Sequence, residues 1–425
     1  MQRSNKIIRA HWVTIAWVGG LIVLLSYFVS PAFSVLRSPQ SEVFEQTWQT
    51  VKDNFYDSKF NGVDWQATRR KYQPLAAKAQ SRAALSEVIN QMLAELKTSH
   101  TRFYTQDEPA YYQLAGIFKS SIQTKLKSFL PNGIEYTGIG VFTREANSKT
   151  FIRAILDNSP AAKAGLKVGD QVLSVDNQPF RPIQSFENKM GQTVQMQIQR
   201  TANPATVQTI VVTPQKLDPS RMFLDAMKAS AEVIERNGQK IGYIHVWSYA
   251  DPIYQEQLAQ ELTYDRLKNT DALIWDLREG WGGASPNYLG LFTAAVPAVT
   301  LIDREGDRRQ LDGRWTKPVV MLVNQGSRSG KEILAYGFRK YRVGAIVGSE
   351  TAGAVVAGRA FVMKDGSLLY LAVADVLVDG DRLEGKGIKP DVEVPFTAEY
   401  TQGADPQKER AIQVAIESVR SGGTK

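Results

Sequence analysis

Apolar positions along this chain fall into four successive patterns. The first is an uncharged run from Trp12 to Val29, preceded by Arg3, Lys6 and Arg9. At a helical rise of ~1.5 Å per residue it spans nearly the whole hydrocarbon layer of a bilayer. The basic flank predicts that the N-terminus stays cytoplasmic and the remainder is exported. A cleaved signal peptide shares this charge pattern, but the run is long for one, so residues 1–37 are expected to be a membrane anchor and linker. The second pattern is helical. Phe44, Trp48, Val51 and Phe55 share one face, and Leu85, Ile89, Met92 and Leu96 share another, which predicts a small helical domain over 38–115.

The third pattern is made of short β-type runs. "YTGIGVFT", "TFIRAIL", "TVQMQIQR" and "TVQTIVVTP" surround a turn-rich stretch from Asn158 to Phe180, in which Pro160 starts a short helix. They predict an antiparallel domain over 130–215. From Lys240 the pattern alternates: "KIGYIHVWSY", "ALIWDLR", "PVVMLVNQ" and "GAIVGSE" read as strands, separated by helical stretches at 252–268, 286–296 and 329–342. Alternation of this kind predicts a layered α/β core over 216–425 with crossover connections. The whole chain is therefore expected to be multidomain α/β.

Composition narrows the chemistry. The chain has 425 residues, 43% apolar and 22% charged, which is ordinary for two or three globular domains. A net charge of +8 without a basic stripe interleaved with aromatics argues against nucleic acid as a partner. There are no cysteines, so disulfides, thiolate metal sites and cysteine nucleophiles are excluded. The three histidines, His11, His100 and His245, have no paired spacing. No metal or cofactor is implied.

What remains is serine chemistry. "NQGSRSGKEIL" follows the apolar run Val319–Val323 and leads into the helical pattern Ile333, Leu334, Phe338. A serine on a strand-to-helix turn exposes its hydroxyl beside the helix amides, but it needs a partner to take its proton. "DLREGWGG" ends another strand in glycines, where backbone can approach a ligand closely. "LEGKGIKPDVEVP" is a turn-rich segment carrying Glu384.

Two resemblances follow from these residues. The run Ser-Pro-Ala-Ala…Ala-Gly-Leu…Gly-Asp-Gln-Val-Leu-Ser-Val-Asp between Ser159 and Asp176 resembles a PDZ domain. That implies that the loop Gly138, Ile139, Gly140, Val141 offers amides to the free C-terminus of a protein or peptide. Nearly everything after residue 40 resembles the carboxyl-terminal processing peptidases and their relative tricorn, with a core of the ClpP and crotonase kind. The family motif Ser-x-Ser-x-x-Glu-Ile implies Ser329 as nucleophile and Glu332 as its marker. The glycine run implies an oxyanion hole from Gly282 or Gly283 with Gly330. Common members use a lysine in a downstream turn, and here Ala354 stands in its place. The tricorn-like branch uses a histidine from the helical domain in a motif like "LKTSHT", and the resemblance implies Ser99, His100 and Glu384 as the rest of a Ser-His-Ser-Glu tetrad.

The residues are chemically suited to these roles. An imidazole with its ordinary pKa near ~6.5 can take the serine proton and return it to the leaving amine, which predicts activity rising with pH through about 6–7. Lys331 is the rival base, but two residues along a helix it points away from Ser329. Ser327 is expected to bond turn backbone and His245 to lie in the core. Arg278 and Trp281 depart from the family's glycine run, and Trp281 either lines a substrate pocket or packs at its rim. The expected activity is that of a membrane-anchored serine endopeptidase facing the exported side. The alternative is an inactive binding protein on the same scaffold, and oligomeric state stays open. Because His100 and Ser329 are distant in sequence, the helical domain must dock on the core. Docking governed by the PDZ segment would then switch activity.

Overall fold

The computed structural model describes residues 38–293, 299–311 and 314–422. The expected membrane anchor lies outside them, and among the described residues no helix is long and apolar enough to cross a membrane. Ser38 accepts from the Ser41 amide (3.2 Å) and starts the helix Pro39–Asn54. That helix buries Phe44, Trp48 and Val51, while Arg82–Ala94 buries Leu85, Ile89 and Met92, as the spacing predicts. Between them lies a helix the pattern reading did not name, Trp65–Lys78. Its signal was present: Asp64 as N-cap and Trp65, Thr68, Tyr72 and Ala76 on one buried face. The indoles of Trp48 and Trp65 each donate to the other's backbone carbonyl, at 2.8 and 3.1 Å.

The chain leaves this helical segment through a three-residue strand, Arg102–Tyr104, which pairs antiparallel with the core strand Leu368–Ala374 (Phe103 opposite Leu369). Phe44, Ile89 and Phe103 share one apolar cluster with Leu369 and Leu371. Helical segment and core are therefore built around common residues. Two further helices, Pro109–Ile117 and Lys119–Leu126, follow where the sequence pattern gave no helix.

Five antiparallel strands then form a sheet in chain order: Val141–Ala146, Lys149–Ile155, Gln171–Val175, Val194–Gln199 and Val207–Val212. Ser159 caps the short helix Pro160–Lys163. Val141–Ala146 is an edge strand of this sheet.

The last section holds a six-stranded sheet. In spatial order its strands are Val392–Glu393, Gly344–Gly348, Val319–Val323, Ala272–Asp276, Gln239–His245 and Glu232–Arg236, all parallel except the last. Period-two alternation sends Val320 and Leu322 toward the helix Pro406–Arg420, and Val319, Met321 and Val323 toward the helix Gly330–Lys340. Both faces are covered, so the central strands are apolar throughout. Each such side chain stabilises by roughly 1.5–3 kcal/mol when fully buried. Ala272–Asp276 and Val319–Val323 are neighbours, and their carboxyl ends deliver the glycine run and the serine turn side by side. Clefts of open α/β sheets lie at this edge.

Candidate active site

Asn324 to Ser329 carries the chain from strand to helix. The Ser327 hydroxyl is fully buried, donates to Leu277 O (2.9 Å) and accepts from the Asn324 amide (3.0 Å). It holds the turn, as expected. Ser329 has φ 57° and ψ −128°, a left-handed conformation that costs a non-glycine residue roughly 1–3 kcal/mol. Two acceptors hold it there: its amide donates to Ala354 O (2.9 Å) and to Glu332 Oε2 (3.2 Å).

Glu332 does far more than mark a motif. Its buried carboxylate also accepts from Thr351 Oγ1 (2.6 Å), the Gly353 amide (2.7 Å) and the Ala354 amide (2.7 Å). Burial pushes its pKa up, and these donors pull it back toward the charged form. One carboxylate thus clamps the serine turn to the turn that carries Ala354.

The glycine run packs directly against this turn. A Cβ on Gly282 would lie 2.6 Å from Ser329 Cβ and 3.0 Å from the Gly330 amide nitrogen, and one on Gly330 would lie 2.3 Å from the Ala284 amide nitrogen. Only glycine fits at either position. The Trp281 amide is committed to Trp247 O (2.9 Å), whereas among the described residues those of Gly282, Gly283 and Gly330 donate to no protein group. Free amides at Gly282 and Gly330 therefore flank the serine, and that of Gly283 belongs to the same cavity lining. The Trp281 ring, held by its indole N–H on Gln113 Oε1 (2.8 Å), lines the cavity. Arg278 is structural: it pairs with Asp276 (2.6 Å) and Asp405 (2.7 Å), tying the strand end to the C-terminal helix. Burial works against the charged Asp276, yet Arg278 holds it well below the usual carboxylate range.

His100 comes from the far side. Its Nδ1 is 2.9 Å from Ser99 Oγ, and Ser99 Oγ donates to Glu384 Oε2 (2.9 Å). The Ser99 amide donates to Glu384 Oε1 (2.8 Å), and Glu384 Oε2 also accepts from the Val355 amide (2.7 Å). The Ser99 hydroxyl has one proton, and a carboxylate can only accept it. Ser99 Oγ must then accept from Nδ1–H, which fixes the tautomer and leaves Nε2 with a free lone pair. The ring packs against Tyr370, with centroids 5.2 Å apart. Burial, aided by the nearby Arg328 charge, pushes the imidazole down from 6.5 to about 4. With that shift His100 stays neutral well below the 6–7 expected of an ordinary imidazole.

His100, Ser329, Gly282, Gly283 and Ala354 line one cavity of about 690 Å³. Ser329 and His100 make no direct hydrogen bond in it, a common state for base and nucleophile before substrate binds. Lys331 is absent from that lining. Its ammonium, pushed down to about 7 by burial, donates to Glu279 O (2.7 Å) and Trp247 O (3.3 Å) behind the glycine run. His245 is buried against Trp247, with Nε2 2.8 Å from Arg278 O. Among the described residues no His, Cys, Asp or Glu cluster is arranged to hold a metal ion.

Gly138, Ile139, Gly140 and Val141 line a second cavity of about 360 Å³, which shares Trp281 and Arg328 with the first. Gly140 has φ 79°, and a Cβ there would lie 2.5 Å from Ser159 Cβ. Among the described residues the Ile139 and Gly140 amides donate to no protein group. Sequence reading missed Arg328, although it directly precedes Ser329.

Three family models match the chain: peptidase family S41 over residues 240–394, the tricorn protease C1 domain over 40–94 and the PDZ domain over 137–211. A carboxyl-terminal-processing protease of Synechocystis sp. is 25% identical over 409 residues, covering 93% of this chain and 91% of the relative. Tricorn protease homolog 1 of Streptomyces coelicolor is 23% identical, covering 88% of this chain but 35% of the relative. Among solved structures, the photosystem II D1 C-terminal processing protease superposes with a TM-score of 0.51 at 21% identity, covering 91% of this chain and 98% of that one. The tricorn protease gives 0.53 at 18% identity, covering 89% of this chain and 37% of that one. These two likenesses concern the fold.

Proposed function

The chain belongs to the carboxyl-terminal processing peptidases, a family of serine peptidases, and we propose that within it this protein works through Ser329, His100, Ser99 and Glu384. The observation that carries the reading is the hydrogen-bonded series Glu384–Ser99–His100, which ends at the cavity wall that Ser329 shares. His100 Nε2 takes the Ser329 proton as Oγ attacks the substrate carbonyl. The oxyanion is held by the Gly330 amide with that of Gly282 or Gly283, where each donor contributes roughly 2.7–4 kcal/mol. The imidazolium then protonates the leaving amine, and water, deprotonated by the same nitrogen, releases the acyl group. Ser99 and Glu384 orient the ring and stabilise its transient charge. The inactive alternative rests on Ala354 alone, and a second base fills that gap. A fluorophosphonate is expected to label the protein. Ser329→Ala should abolish labelling and Ser327→Ala should leave it at Ser329; labelling at Ser327 would sink the assignment.

The substrates are proteins presented by their C-terminal ends. The free Ile139 and Gly140 amides and the edge strand Val141–Ala146 are suited to a peptide that adds a strand and ends at the loop. The basic flank and apolar span of residues 3–29 support a membrane anchor with the catalytic part on the exported side. A reporter fused after residue 45 should then be active only outside the cytoplasm, and cytoplasmic activity would overturn that topology.

A further inference from the structure

Three arginines line the two cavities: Arg102, Arg153 and Arg328. Arg102 pairs with Glu108 at 2.7 Å and Arg153 with Glu279 at 2.9 Å. The Arg328 guanidinium has neither an ion pair nor a hydrogen bond to protein among the described residues. Its guanidinium lies 5.1 Å from the centroid of the Trp281 ring, half-buried, at the wall common to both cavities. A planar fork of donors held on an indole face, partly removed from water and without an anion, is an incomplete site. The missing member is a carboxylate, which the fork matches with two parallel hydrogen bonds.

We propose that Arg328 binds a carboxylate of the peptide substrate where the chain passes from the PDZ loop to Ser329, so that the enzyme selects substrates acidic at that point. The proposal rests on the reading of Ser329 as nucleophile. The carboxylate comes from an Asp or Glu side chain beside the scissile bond or from the substrate's own C-terminus. Arg328 adjoins the nucleophile in sequence, so an anion bound to it fixes the peptide close to the reacting carbonyl. Its charge also disfavours protonation of His100. An anion on Arg328 offsets that influence and eases formation of the imidazolium during attack.

The test uses the full protein and two pairs of peptides, Asp against Asn beside the cleaved bond and a free against an amidated C-terminus. In the parent, loss of the carboxylate should lower kcat/KM roughly 10- to 100-fold in at least one pair, the worth of a charge-assisted hydrogen bond. The pair that responds identifies the source. In Arg328→Gln the same ratio should fall below about threefold, and Arg328→Glu should favour Lys over Asp. Amidation that hurts parent and Arg328→Gln equally belongs to the PDZ loop and overturns the proposal, as does a parent indifferent to both pairs. Fluorophosphonate labelling of each protein keeps the two readings apart: a labelled Ser329 with unchanged ratios removes Arg328 and leaves the peptidase standing. Should Arg328→Gln not label, Arg328→Lys decides. A lysine lacks the fork and should reduce the ratio, and a ratio equal to the parent's overturns the proposal.

Discussion

Phe103 of the helical segment lies in one apolar cluster with Leu369 and Leu371 of the core, whereas Ile152, Val175 and Met196 of the PDZ segment belong to a cluster confined to residues 139–212. The PDZ segment meets the core around Trp247 and again at residues 398–403, where Arg144 pairs with Glu399 and Phe151 packs edge-on against Tyr400. Phe142 stacks on Trp247 (5.7 Å between centroids), Arg153 pairs with Glu279, and the Trp247 indole donates to Asp157 (3.0 Å). The helical segment adds a strand to a core hairpin and is joined through Glu384 to the loop at Val355. His100 therefore cannot move far without disturbing the apolar cluster that the helical segment shares with this hairpin. The recognition unit has a core of its own, while Ala154, Leu156 and Ile183 on its flank join the main apolar cluster with Trp247 and Trp281, so its boundary is part apolar and part ion-paired. The docking of the helical segment expected from the sequence is present, and the PDZ segment differs from it in keeping a second apolar cluster of its own.

The largest effect should come from the helical segment. His100→Ala should lower kcat by roughly 10²–10⁴ or more, with the thermal transition little changed, in a peptide-hydrolysis assay. A parent-like rate would break the comparison, because the helical segment would then contribute no chemistry. Next come two core truncations. Phe103→Ala should cost about 3–5 kcal/mol and Ile152→Ala about 2–5 kcal/mol. In denaturant, fluorophosphonate labelling should vanish together with the global transition in Phe103→Ala. In Ile152→Ala the amides of the PDZ strands should exchange early while labelling persists. Early loss of labelling in both variants would merge the two regions into one cooperative unit.

The smallest effect is a displacement along the pH axis. His100 has its pKa depressed to about 4 in the fold, so the acid limb of kcat/KM should lie near 4. The sign for stability is the same. Unfolding restores an ordinary pKa near ~6.5, so the unfolded chain binds the proton first as pH falls. Stability is then full above about 6.5 and is lost progressively as pH drops toward 4. His100→Ala should abolish that part of the acid sensitivity, and a limb at 6–7 in the parent would mean that the cavity is wetter than described.

Much of the architecture could be read from period alone, because the buried strands Ala272–Asp276 and Val319–Val323 and the helices Gly330–Lys340 and Pro406–Arg420 are long or strongly patterned. The helix Pro109–Ile117 was not, since a mostly apolar segment buried among other elements carries little periodicity. The strand-to-helix turn that carries Ser329 was legible because turn, glycine and helix are contiguous. The union of Ser99 with Glu384, 285 residues apart, was reachable only through the family resemblance. The clamp formed by Glu332 has a local signature only in its capping box with Ser329, for its other partners lie on another turn, at Thr351 to Ala354.

That clamp has an evolutionary consequence. Because Glu332 grips the amides of Gly353 and Ala354 and not their side chains, any residue at 354 that keeps its N–H can be held at the same place in the cavity wall. A lysine arising there would stand in the same chamber as His100, and for a time both bases would be present. On the proposed reading of His100, one proton acceptor could replace the other without rebuilding this wall, since Glu332 holds the backbone at 354 and Glu384 holds Ser99 beside His100.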